Sequence, residues 1–453
     1  MSDLRSFLER VRQERPTDLL ELEREVDPRF ETTAILTKLE ERQRSPVLVF
    51  KNVKGTKFPL VTNVCGSMGR LAFALGCPLK EVSVRYAEGI DAPIRPVVTD
   101  HAPVQERVAT GAEVDLHLLP ALTYHEHDAD KPYITAAISV ARDPETGHVN
   151  LSYHRLMIAS RNTTGILIEP GKHLDRIFQK YRSAGRAMPI AFFIGAHPAW
   201  SLGALYSGPL EEYDVIGGLL RAPLPVVACV TQPGLFVPSA AEIVLEGFVS
   251  PDELIAEGPF GEWPGFSTGV ARTPVFHVTA MTTRDGAVFQ DVVSGHIEHL
   301  ILEVPAIEYR ALRNARAVAS GVVAFSLIAP FTSVVALHKT SEDEPKRLMD
   351  ALLTTDIQAK HLIVVDADVN IGELRGVLRA VGLNTLAARD VYIYPDEQGT
   401  LLDPACTSPT GRTSKMGIDA TRRLSPARRA MGNSVPSSVL DAIDVDELLR
   451  RRP

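Results

Sequence analysis

Cysteine is scarce. Cys65, Cys77, Cys229 and Cys406 are the only four in 453 residues, and no two form a CxxC pair. A disulfide scaffold is excluded, and reduced thiols in a cytoplasmic protein are expected. Positive charge is also in deficit. Lys and Arg number 48 against 56 Asp and Glu, a formal net charge of -8. General nucleic-acid binding wants a basic face, so no nucleic-acid partner is expected, although one basic pocket remains compatible. Long hydrophobic runs are missing. The longest apolar stretch, Gly321 to Leu337, is interrupted by Pro330 and carries Ser326, Thr332 and Ser333. It reads as two buried strands rather than a membrane span, so no membrane partner is expected. The opening segment MSDLRSFLERVRQERP is charged and lacks the apolar core of a signal peptide. Glycine has no three-residue period, and no repeat or low-complexity tract is visible. Cys65-Gly-Ser-Met-Gly69 lacks a full GxGxxG, Gly411-Arg-Thr-Ser-Lys415 lacks P-loop spacing, and there is no GxSxG elbow.

What is present is ordinary globular material: 45% hydrophobic and 23% charged residues, with length for two to four domains. The pattern predicts an α/β (α+β) chain in three parts. Residues 1–112 form an N-terminal α/β domain. Leu4, Phe7, Leu8 and Val11 mark its first helix, Thr32–Arg42 a second, and Pro46–Phe50 and Pro59–Val64 are strands around a turn at Asn52–Gly55. Residues 113–298 are strand-rich: Tyr133–Val140, Asn150–Ile158, Gly165–Glu169, Ile190–Ile194, Val226–Val230 and Val275–Met281. Turns at Asp143–Gly147 and Arg284–Gly286 and helices at Lys172–Ser183 and Pro209–Arg221 interrupt them. Such a mixture suggests a sheet or barrel around a ligand cavity. Residues 299–453 alternate helix and strand again, with a tail helix at Ser437–Leu449.

Two constellations can carry chemistry. Asn150-Leu-Ser-Tyr-His-Arg155 lies on one predicted strand. Alternation points Asn150 and Arg155 to opposite faces unless a bulge intervenes, and on these residues alone an ordinary strand with a surface arginine is the better fit. Glu257-Gly-Pro-Phe-Gly-Glu262 brackets a rigid Gly/Pro turn with two acids. Carboxylates held close cannot both ionise cheaply, so one is pushed towards the protonated form, and an arginine between them divides the roles. Alone, such a pair is more often solvated. His125-Glu-His127 looks locally like a metal motif, because a strand would put both imidazoles on one face. With no third ligand nearby, it reads as pocket lining or a surface pair.

Taken in order, several segments resemble the UbiD family of reversible decarboxylases over nearly the whole chain. They are Leu4–Leu8 with Val26-Asp-Pro28, Pro132–Thr135, the Asn150–Arg155 strand and Lys172-His173-Leu174, then Leu210–Tyr213, Ala241–Gly247, Glu257–Glu262 and Ser414–Thr421. The resemblance implies a flavin-binding split-barrel type of middle domain. It implies prenylated FMN as cofactor, supplied by a partner flavin prenyltransferase, with Mn²⁺ or another divalent metal and K⁺. By the same resemblance Asn150, His173 and Glu212 are the metal ligands, while Tyr153, His154, Arg155 and Lys172 complete the cofactor site. Their spacing alone says nothing, though an amide oxygen, an imidazole and a carboxylate suit a hard divalent ion.

The catalytic trio it implies is Glu257, Arg155 and Glu262. A covalent adduct with the flavin serves as electron sink, Glu262 as proton donor, and Arg155 as the group that orients the substrate carboxylate. Gly295-His-Ile-Glu-His299 resembles members acting on heteroaromatic acids, so His296 and His299 border the substrate in that reading; both are equally compatible with helix-capping or surface histidines. The expected substrate is an aromatic or heteroaromatic monocarboxylic acid, such as indole-3- or pyrrole-2-carboxylate, giving CO₂. Alternatives are a hydroxybenzoate-type acid or a flavin-free accessory subunit. The tail implies a homodimer or an assembly of dimers.

Overall fold

The N-terminal helix Leu4–Glu14 forms where the apolar stripe places it. Asp3 caps it by accepting the Ser6 N–H at 2.8 Å, and Leu4, Phe7, Leu8 and Val11 are buried. This computed structural model describes residues 3–355, 359–425 and 435–445. Beside the helix lies a sheet ordered Leu19–Val26, Val47–Val53, Leu60–Thr62, Phe289–Gln290. Leu19–Val26 was not anticipated. Its sequence LLELEREV is charged because it is an edge strand, with only Val26 fully buried. Helices Met68–Leu75 and Val82–Asp91 were also missed.

The central sheet has nine strands. Its spine is the antiparallel pair Ile243–Glu257 and Ala271–Thr283. Eight strands run in the order Tyr133–Ile134, Leu156–Ile158, Thr163–Ile166, Ala271–Thr283, Ile243–Glu257, Met188–Ile194, Ile138–Arg142, Val149–Tyr153. Arg107–Thr110 also pairs with Ala271–Thr283. Consecutive pieces of chain therefore sit at opposite ends of the sheet. Tyr153 ends the last strand and Leu156 begins the second. Three residues span about 10 Å at most, so the sheet must curl until its ends nearly meet. The result is the barrel-like, strand-rich unit expected from the sequence.

The strands read as Tyr133–Val140 and Asn150–Ile158 are each broken at this seam. The actual elements are Tyr133–Ile134 with Ile138–Arg142, and Val149–Tyr153 with Leu156–Ile158. Helices His173–Ser183 and Glu212–Leu220 fall inside the predicted ranges.

The long helix Ile297–Val318 leads into a five-stranded sheet ordered Val322–Ala329, Thr332–Leu337, His361–Asp366, Arg412–Ala420, Val391–Gln398. Helices Glu344–Thr355 and Leu374–Asn384 pack on it. The apolar stretch around Pro330 is two strands, as its interruption required. The tail helix spans Ser437–Leu440 only; positions 446–449 of the predicted helix lie outside the described residues. Among the described residues no helix is long and apolar enough to cross a membrane.

Candidate active site

Arg155 sits at the seam of the curled sheet. The strand break at His154–Arg155 resolves the face problem, because alternation no longer relates Arg155 to Asn150. Arg155 Nε and Nη2 each donate to Glu257 at 2.9 Å, a bidentate pair, and Nη1 donates to Glu262. The guanidinium also lies 4.5 Å from the centre of the Phe260 ring. Arg155 is 8% exposed, Glu257 0% and Glu262 15%. Residues far apart in the chain thus converge on one enclosed guanidinium.

Glu257 ends the long strand Ile243–Glu257, which fixes its direction. The loop after it needs its glycines. Gly258 has φ +89°, and a Cβ there would stand 2.7 Å from the Gly269 carbonyl oxygen. A Cβ on Gly261 would stand 2.6 Å from His125 Nδ1. Asp128 locks this contact by accepting from the Gly261 N–H at 2.7 Å and the His125 N–H at 3.0 Å. His125 and His127 are therefore not a strand pair. They lie in a turn, His125 stacked on His296 and His127 exposed. Burial, followed in sign by the Glu257 charge, pushes the Glu262 carboxyl above its usual range, although Arg155 opposes this.

The residues expected to hold metal and cofactor lie on neighbouring elements. Glu212 opens its helix, is 1% exposed, and accepts the Leu151 N–H at 3.0 Å, which brings it beside the Asn150 strand. Among the described residues no cation pairs with it, and burial pushes its carboxyl up to about 8. Asn150 is buried, with its amide nitrogen donating to Ser152 at 3.1 Å. His173 begins the helix His173–Ser183, which packs on the same strand; burial and then Arg176 push its imidazole down. A buried carboxylate without a counter-charge, next to an amide oxygen, suits a hard cation. Among the described residues no three His, Cys, Asp or Glu side chains form a metal cluster. A metal here would need Asn150 and oxygens from the cofactor to complete its shell.

Tyr153 donates to Ser201 Oγ at 2.8 Å. His154 is held between Ser152 Oγ and the Leu167 carbonyl, both at 2.9 Å, and burial keeps it neutral by pushing it down to about 4. Lys172 is not brought into the buried set; it stands exposed at the helix start, 3.9 Å from Glu169.

The helix Ile297–Val318 supplies the other wall. His296 is neither free nor on the surface: its Nδ1 lies 2.8 Å from Glu40 and its ring stacks on His125. His299 is half-buried beside Ser294 at 3.1 Å, and desolvation keeps it neutral, pushing it down to about 4. Further along, Arg310 and Arg313 border a cavity of about 110 Å³ with Tyr86, Tyr206 and Ser207. Tyr86 stands on the helix Val82–Asp91, which packs against the helix that Glu212 opens, so this cavity adjoins the metal-ligand set. Sequence reasoning missed Asp128, Arg310 and Arg313, none of which carries a local motif, and it gave Phe260 no role although the residue lies within the Glu257–Glu262 loop.

Glu298, 0% exposed, accepts the Cys65 N–H at 2.7 Å, and burial pushes its carboxyl up to about 8. Between its ordinary range and 8 the folded chain holds the proton that the unfolded chain releases. Stability therefore falls as pH rises through that window. Glu298→Gln should flatten the decline of Tm between about pH 5 and 8, relative to the wild type. Equal slopes in the two proteins would contradict this.

Family models for 3-octaprenyl-4-hydroxybenzoate carboxy-lyase match in three blocks. The N-terminal domain matches residues 12–88, the Rift-related domain 95–297 and the C-terminal domain 303–420. The anhydromevalonate phosphate decarboxylase of Methanosarcina mazei is 31% identical over 93% of this chain and 96% of its own. Among solved structures, the UbiD-class enzyme HmfF of Pelotomaculum thermopropionicum in complex with FMN has a TM-score of 0.90. It is 36% identical and covers 98% of this chain and 99% of its own. An evolved dimeric form of HmfF in complex with prFMN has a TM-score of 0.86, is 34% identical, and covers 98% and 99%. The vanillic acid decarboxylase of Sedimentibacter hydroxybenzoicus has a TM-score of 0.88 at 26% identity, covering 99% of each chain.

Proposed function

The chain belongs to the UbiD family of carboxy-lyases, and from that premise we propose that it removes CO₂, reversibly, from a heteroaromatic monocarboxylic acid of the pyrrole-2- or indole-3-carboxylate kind. In this reading it works with prenylated FMN, a divalent metal, Mn²⁺ first, and K⁺. The observation that carries the reading is the sharing of Arg155 between Glu257 and Glu262 inside an enclosed seam. The wide sharing of fold with FMN- and prFMN-bound HmfF supports the choice of cofactor.

Asn150, His173 and Glu212 would hold the metal, and Glu212's missing counter-charge is the reason to expect one. Arg310 and Arg313 add positive charge on the same side. When bound, the modified flavin supplies an electron sink for the carbon that loses CO₂. The side chains do the rest. Arg155 orients the substrate carboxylate, holds Glu257 as its charged partner, and blunts the charge on whichever acid is ionised. Glu262, raised by burial, delivers its proton to the ring carbon from which CO₂ has left, and takes another from solvent before the next turnover.

The test is protein co-produced with a flavin prenyltransferase. It should carry a modified-flavin absorbance and Mn²⁺, and release CO₂ from pyrrole-2- or indole-3-carboxylate. Activity confined to hydroxybenzoates would contradict the substrate class. A second reading has its own observation: the two arginines at the cavity suit an acid with a second anionic group, as in the relative named for anhydromevalonate phosphate. A phosphate-bearing acid therefore belongs in the panel. The same proposal includes a homodimer. Leu374, Leu378 and Leu383 on the C-terminal domain are each more than half exposed, and light scattering should return twice the chain mass.

A further inference from the structure

One acid on the wall of the site has no role in the chemistry above. Residues 296, 299, 303, 306 and 310 recur at helical spacing along one face of the helix that begins after His296. At one end of that face His296 stacks on His125, which rests on Gly261 beside Glu262. At the other, Ala306 and Arg310 border the cavity next to Ser207. Glu303 stands between them, half-buried, with no hydrogen bond or ion pair among the described residues.

Its buried neighbours differ. Glu257 has Arg155, Glu298 has the Cys65 N–H, and Asp291 has Tyr124 and Thr135. Burial and then the Glu262 charge push the Glu303 carboxyl up to about 7. Lys172 and Arg310 offset this in part without bonding to it. A half-buried acceptor with no donor among the described residues is open to one that a ligand brings.

We propose that Glu303 is a specificity-determining residue that accepts a hydrogen bond from the ring N–H of the substrate, so that pyrrole- and indole-type acids are taken in preference to their furan and thiophene counterparts. This rests on the heteroaromatic reading above. Ionised or protonated, Glu303 keeps a carboxyl oxygen able to accept from an N–H. A furan oxygen offers no donor and turns a lone pair towards that oxygen, leaving the acceptor unpaired. A site built around such a bond discriminates more strongly than one that only measures ring size.

The test compares kcat/KM for pyrrole-2-carboxylate and furan-2-carboxylate on cofactor-loaded wild type, Glu303→Gln and Glu303→Leu. It adds calorimetric titration of the same proteins with indole and benzofuran. Wild type should prefer the pyrrole acid and bind indole over benzofuran by about tenfold or more, the effect of one buried hydrogen bond. Glu303→Gln, which keeps a carbonyl acceptor, should retain most of that preference. Glu303→Leu should lose it, chiefly through a higher KM for the pyrrole acid, while the furan acid, relieved of the facing lone pair, is taken better than by the wild type. Equal handling of both rings by the wild type, or an unchanged preference in Glu303→Leu, overturns the role of Glu303 and leaves the heteroaromatic reading standing. Loss of 4-hydroxybenzoate turnover instead would make the donor a phenol and overturn the proposal too. If no heteroaromatic acid releases CO₂, the functional reading fails, and the titration still decides whether Glu303 reads the N–H.

Discussion

Arg155→Ala should abolish decarboxylation and destabilise the cofactor-loaded protein by about 3–5 kcal/mol, the usual result of removing one partner from a buried ion pair. Glu257 is fully buried and takes two hydrogen bonds from that guanidinium. Without Arg155 it must either carry an unpaired charge or take up a proton. Glu262 loses its partner as well. Arg155→Met combined with Glu257→Gln removes the charge and the orphaned acid together. That double variant should recover most of the stability and none of the activity. Thermal melts with CO₂ release separate the two effects. An Arg155→Ala protein that melts like wild type would show that the pairing carries no weight.

The second large effect belongs to Glu262. Glu262→Gln should lower kcat by about 10²–10⁴-fold, the usual weight of a general acid, while the protein still loads cofactor and binds substrate. Glutamine fills the same space and still accepts from Arg155, but has no proton to give. Burial raises the Glu262 carboxyl, so the donor form persists above the ordinary carboxylate range. Wild-type activity should fall as pH rises through that raised value, because ionisation removes the donor. The pH profile of kcat reads this limb, and Glu262→Gln should lack it. Unchanged turnover in Glu262→Gln would end the proton-donor assignment.

The sequence was most legible where chemistry and turn geometry coincide. Glu257-Gly-Pro-Phe-Gly-Glu262 announced two acids on a rigid loop, and both glycines have no room for a side chain. Helices with a clear apolar stripe, such as Leu4–Glu14, were read to within a few residues. The Asn150–Arg155 segment was harder. Its residues favour extended backbone throughout, so nothing local marks the break at His154–Arg155. That break exists because the sheet curls and the chain must pass from one end to the other. Closure of a sheet is a long-range property, invisible in a window of ten residues. Leu19–Val26 was lost for another reason: an edge strand keeps its charges. Asp128, Glu303, Arg310 and Arg313 were lost because each is an ordinary charged residue until folding sets it beside the site.

The most direct measurement is exchange at the product carbon. The cofactor-loaded protein is incubated with pyrrole or indole in D₂O with bicarbonate, and the ring protons are followed by NMR. Deuterium should enter indole at C3 and pyrrole at its two equivalent α carbons, the positions that carry the carboxylate in the acids, and Glu262→Gln should show none above the enzyme-free rate. Labelling of those positions at the wild-type rate in Glu262→Gln, or no labelling by the wild type at all, would contradict the shared-arginine site as the seat of proton transfer.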